Sequence, residues 1–85
     1  MKVDFRKLPV YKSIRKDETE EVDASFFIAD TIYQKCGGLV AKSLALRIYN
    51  EGEVDLNEKE IEFLNSFADG FAGVLADSIK DKLSS

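Results

Sequence analysis

Histidine and tryptophan are absent from the 85 residues, and cysteine, proline and methionine occur once each. Histidine is the commonest metal ligand and the one side chain that titrates unperturbed near neutrality. Without it the chain has no Ser-His-Asp triad, no His-based zinc site and few routes to an acid–base relay. A lone Cys36 excludes intrachain disulfides and multi-Cys metal sites, and it fits a reducing compartment. Long apolar runs are missing as well. The longest uncharged stretch, Gly70 to Ala76, falls far short of the ~20 residues a membrane span needs. No apolar run of signal-peptide length follows Met1-Lys2-Val3-Asp4-Phe5-Arg6. The expectation is a soluble, cytoplasmic chain without an export signal.

What remains is 45% hydrophobic and 33% charged, enough for a single small domain over residues 1–85. A chain of this size buries little more than ~60% of the surface it exposes when unfolded, so dimerisation would add usefully to a thin core. The net charge of −4 conceals a strong asymmetry. Residues 1–16 carry Lys2, Arg6, Lys7, Lys12, Arg15 and Lys16 against Asp4 alone, a local balance of +5. The remainder is acidic, concentrated in 17–30 and 51–69. A basic end on an acidic body points to self-association or to a partner met through those six side chains. Solvated surface charge is the plainer account.

Val3-Asp4-Phe5-Arg6 alternates with period two, and Val10, Lys12 and Ile14 continue a broken alternation after Pro9, so both stretches read as short strands. Arg15 to Glu18 is a polar connection, and Thr19 to Val22 returns as the second strand of a hairpin within a basic segment, 1–23. This loop lacks the Gly or Asn that tight primed turns prefer. From Asp23 the apolar spacing changes to about four residues, which predicts a helix over 24–36 with Asp23 or Ser25 as its cap. Gly37-Gly38 ends it. A second helix over 39–50 is apolar nearly all round and is expected to be the central element. Val54 and Leu56 suggest a third short strand, or a loop pinned to the core. Asn57 with Glu60 three residues on makes a capping-box pair. Ile61, Leu64, Ala68, Phe71, Leu75 and Ile79 then recur at steps of three or four, predicting one long helix over 58–83.

Gly70 and Gly73 lie inside that last helix, each costing ~1 kcal/mol relative to alanine. Close approach of another helix to the small side chains Ala68, Gly70, Ala72, Gly73 and Ala76 would offset this, within one chain or across a dimer axis. A kink or a ligand against the backbone are the other readings.

Chemical motifs fail on inspection. Gly52 to Glu58 imitates the second half of a calcium-binding EF-hand loop, but that register puts Arg47 and Tyr49 at the first and third ligand positions. Lys42-Ser43 echoes the end of a P-loop whose glycines would fall on Cys36 and Ala41. Paired carboxylates such as Glu20-Glu21 have no activating base beside them. Cys36 lies at a helix C-terminus, where the dipole disfavours a thiolate. No catalytic, metal-binding or cofactor-binding residue is therefore assigned, and no small-molecule substrate is implied. Phe5 and Tyr11 among the N-terminal cations would suit nucleic acid, against which the acidic body argues.

Val22-Asp23-Ala24-Ser25, Ala29-Asp30 before Ile32-Tyr33, Ala45 before Ile48-Tyr49, and Gly52-Glu53-Val54-Asp55-Leu56 leading into an acidic helix start span half of the chain. In these residues the sequence resembles a group of small uncharacterised proteins encoded in bacteriophage and prophage gene clusters, which similarly begin with a Lys-rich extended segment. The Lys/Arg-rich stretch before Asp17 and the pair Phe26-Phe27 depart from the group's pattern. The resemblance implies an accessory or assembly role in phage biology and brings no chemistry.

The sequence thus predicts an α+β fold, an N-terminal β-hairpin or short three-stranded sheet packed on three α-helices. The expected function is non-enzymatic protein–protein interaction by a phage- or mobile-element-related protein. Its partner would be another protein or a second copy, bound through the small stripe of the third helix or the strand edge. A small nucleic-acid-binding regulator using the basic N-terminal segment is the alternative.

Overall fold

The computed structural model describes residues 1–71 and 73–84. The fold is α+β: β1 (Lys2–Asp4), a 3-10 turn (Phe5–Lys7), β2 (Leu8–Tyr11), β3 (Thr19–Val22), α1 (Ser25–Lys35), α2 (Leu39–Glu51), β4 (Glu53–Asp55), α3 (Glu58–Ala68) and α4 (Gly73–Ser84). The strands form two antiparallel pairs rather than one three-stranded sheet. In one, Leu8 to Tyr11 lie opposite Val22 to Thr19. In the other, β1 reaches across the chain to β4, with Val3 opposite Val54.

The hairpin forms, with β3 at the expected Thr19–Val22 and β2 shifted towards the N-terminus from the expected Val10 to Ile14. Its turn needs no glycine because Lys16 takes the left-handed conformation at φ 59°. The Lys12 N–H donates to the Glu18 carbonyl at 3.1 Å to close the loop. Pro9 sits inside β2, tolerated because a two-stranded sheet consists of edges.

Neither Asp23 nor Ser25 is the cap of α1: the N-cap is Ala24, without a side-chain cap bond, and Asp23 instead braces the first helical residue from one position earlier. Its carboxylate accepts from the Ser25 N–H and hydroxyl, which together hold it below the usual carboxylate range, the hydroxyl contributing most. The capping box forms at α3, where Asn57 accepts from the Glu60 N–H and Glu60 accepts from the Asn57 N–H.

The long third helix is instead two. After Ala68 the chain tightens into turns in which the Gly70 N–H donates to the Phe67 carbonyl and the Phe71 N–H to that of Ala68. Then α4 sets off to cover the hairpin. There the Tyr11 N–H donates to the Ser78 hydroxyl at 3.0 Å, the Tyr11 hydroxyl donates to Asp81, and Lys16 pairs with Asp77 at 3.0 Å. A helix laid over β2 satisfies an edge that would otherwise stand open. Tertiary packing on the hairpin thus overrides a periodicity that two short helices satisfy as well as one long one.

Val3, Phe5, Leu8, Ile28, Ile32, Leu44, Ile48 and Leu64 form the fully buried centre, drawn from the N-terminal strands and the first three helices, with Ile79 and Leu83 of α4 also buried. No helix among the described residues is long and apolar enough to cross a membrane.

Candidate interaction face

The first two helices are joined by only Cys36, Gly37 and Gly38, with Gly38 at φ 95° in a conformation open to glycine, and they pack as an antiparallel hairpin. On the inner side Ile28 and Ile32 of α1 and Leu44 and Ile48 of α2 are buried. The expectation that α2 would be central is corrected here. Ala41 and Ala45 are buried too, but its other large apolar residues, Leu39, Val40, Leu46 and Tyr49, are exposed, as are Phe26, Phe27 and Tyr33 of α1.

Phe26 and Phe27 leave α1 on different sides. Phe27 joins Phe71, at 5.4 Å between ring centroids, and through it the rings of Phe67 and Phe63, an edge of the core. Phe26 instead meets Tyr49 at 6.0 Å, which places the start of α1 beside the end of α2. Between the helices lies a groove of about 180 Å³, lined by Phe26, Ala29, Asp30, Tyr33, Leu46 and Tyr49, with Ala45 also in its wall. Two alanines opposite one another leave the hollow, the larger side chains wall it, and half-buried Asp30 is the only charged group in the lining. Gln34 donates to the Asp30 carboxylate at 2.9 Å. The hollow is thus lined almost wholly by apolar and aromatic groups. Among the described residues no group of three or more potential metal-ligating side chains occurs.

The six basic residues do not form one free patch. Arg6 lies along Gly52, where an added Cβ would meet its Nε at 2.5 Å, and donates to the Asn50 carbonyl. Lys12 pairs with Glu18 at 4.0 Å. Lys16, paired with Asp77, also stands over the Tyr11 ring, and Asp77 is the main reason its pKa is raised. Lys2, Lys7 and Arg15 are exposed, with no ion pair among the described residues.

The small stripe is dispersed too. Ala68 and Ala76 are buried within the chain, Gly70 and Gly73 lie exposed beside the break, and Ala72 falls outside the described residues. Among the described residues of the stripe, no shared exposed face is formed. Sequence reasoning missed the α1–α2 face because it assigned every apolar residue of α2 to the core. A surplus of apolar positions beyond one buried stripe was the available signal.

No protein-family model matches the chain, and no curated protein or solved structure matches it.

Proposed function

We propose that this chain is a non-enzymatic protein–protein interaction protein, acting in the cytoplasm as an accessory or assembly factor of a phage or mobile element. Its contact surface is the outer face of the α1–α2 hairpin. The observation that carries the reading is the groove between those helices, where exposed Phe26, Tyr33, Leu46 and Tyr49 surround a hollow floored by alanines. Exposed apolar side chains gathered around a concavity mark interaction sites, whereas scattered ones do not. The phage association rests on the shared text, two pieces of which, Ala29-Asp30 and Ala45, line this groove.

Site-specific photo-crosslinking in cells tests the contact surface. A benzophenone side chain at position 26 or 49 is expected to yield discrete protein adducts that the same group at exposed Glu20 does not. Equal labelling at all three positions, or none at the face, would falsify it. The neighbouring genes test the biology: virion or tail genes support assembly, and replication genes point to the nucleic-acid alternative.

A further inference from the structure

The occupant of the α1–α2 face can be taken further, on the premise that the face is the interaction surface. The two helices repeat one another. Ile28, Ala29, Ile32 and Tyr33 of α1 recur sixteen positions later as Leu44, Ala45, Ile48 and Tyr49 of α2. In an antiparallel hairpin, equivalent positions on the two helices are related by a local two-fold axis normal to the face they share. The Phe26–Tyr49 contact fixes that axis near Ala29 and Ala45, because residue 26 is then level with 49 and residue 33 with 42. The face therefore repeats itself about its own centre, with an alanine hollow flanked by a tyrosine on each side.

A surface with this internal two-fold is suited to a second copy of itself, since a closed dimer packs the same patch on both subunits. We propose that the chain forms a two-fold dimer in which the α1–α2 faces of two copies pack into a four-helix layer. The area suffices. Phe26, Tyr33 and Tyr49 are 62, 52 and 53% exposed, which for rings of ~200 Å² presents about 330 Å². Leu39 and Leu46, 84 and 50% exposed, add to this. A standard interface buries ~800 Å² per partner, of which roughly 450 Å² is nonpolar.

Charge selects the orientation. Two in-plane axes bring the faces together. One lays α1 of each copy over α1 of the other, so that the two Asp30 carboxylates meet near the centre. The other lays α1 over α2 at the same level, so that Asp30 of each copy comes within about a helical turn of Lys42 of its partner. Lys42 is exposed and engages no other side chain among the described residues, and it lies on the same helical face as Leu46 and Tyr49. Both arrangements make every neighbouring helix antiparallel, as in up-and-down bundles, and only the second pairs opposite charges, which it does twice.

Sedimentation equilibrium on the purified chain tests this, with far-UV circular dichroism to confirm that each variant is folded. The expected result is a dimer at tens of micromolar. Leu46→Glu should make it monomeric. Asp30→Lys and Lys42→Asp should each weaken association about tenfold or more, and the Asp30→Lys/Lys42→Asp double variant should recover to within a few-fold of the original. A folded monomer at several hundred micromolar overturns the dimer. Tighter association of Asp30→Asn, with no recovery in the double variant, overturns the orientation. A monomer that still crosslinks through position 26 or 49 to another protein would remove this inference and leave the interaction surface standing. Loss of both signals would remove both.

Discussion

At the junction between α2 and α3 a buried carboxylate is held by partners on both oxygens, while on the outer face of α1–α2 apolar groups are left in solvent. Glu60 is buried at the junction. One of its carboxylate oxygens accepts from the Asn57 N–H at 3.0 Å, and the other accepts from Arg47 at 2.5 Å. Arg47 donates in turn to the Asp55 carbonyl at 2.9 Å, joining α2, β4 and the start of α3. A few residues away along α2, Leu46 and Tyr49 face outward with no partner of comparable extent. One helix therefore carries both a side that completes the fold and a side that adds little to it. Stability and association should accordingly be separable by mutation.

Glu60→Ala is the severest way to break the contrast. It leaves Arg47, which is partly exposed and keeps its bond to the Asp55 carbonyl, without its carboxylate and removes half of the capping box, so it should destabilise by about 2–4 kcal/mol in urea unfolding. Gly52→Ala comes next. Residue 52 has φ 74° and Arg6 packed where a Cβ would go, so a cost of about 1–3 kcal/mol is expected from backbone strain, with Arg6 displaced.

Asp23 gives a smaller, pH-dependent effect at the entry to α1. Its carboxyl is held down by Ser25, so its contribution is complete above the unfolded value of ~3.9 and is lost as pH falls through the lower folded value. Asp23→Asn should therefore flatten the fall in unfolding midpoint between pH 5 and pH 2.5. An unchanged slope would show that the Ser25 contact contributes nothing. Leu46→Glu completes the series with the smallest effect on folding of the monomer, within about ±0.5 kcal/mol for an exposed position when unfolding is followed at concentrations too low for association, while association itself is expected to be lost. A large loss of stability there would mean that the face belongs to the core after all.

Local chemistry made parts of this molecule legible in the sequence. Asn57 and Glu60 announce a helix start three residues apart, Gly37-Gly38 separates two helices, and Thr19 to Val22 returns against a preceding strand. Each of these signals is complete within a few residues. The remainder depends on partners distant in the chain. Nothing near Lys2 to Asp4 indicates that Glu53 to Asp55 will pair with it. The spacing of Phe71, Leu75 and Ile79 after Ala68 is unchanged by a break that exists because α4 covers β2. Apolar content alone does not reveal which side of α2 meets the core. The candidate face was hidden for that reason, although the repeat of Ala29 and Tyr33 at Ala45 and Tyr49 was present in the text.

The pairing of β1 with β4 acts as a latch. Only three residues long on each side, it closes a loop that contains the β-hairpin and both face-bearing helices. An isolated two-stranded pair this short is marginal in water, so its persistence depends on Val3, Val54 and Phe5 beneath it. Opening it would release both strands while the locally closed α1–α2 hairpin stayed intact, a sub-global event cheaper than complete unfolding. Native-state hydrogen exchange should show the cross-strand amides of β1 and β4 exchanging together and sooner than those of Leu44 and Ile48. Exchange of all of them at one common rate would mean that the latch opens only when the whole molecule does.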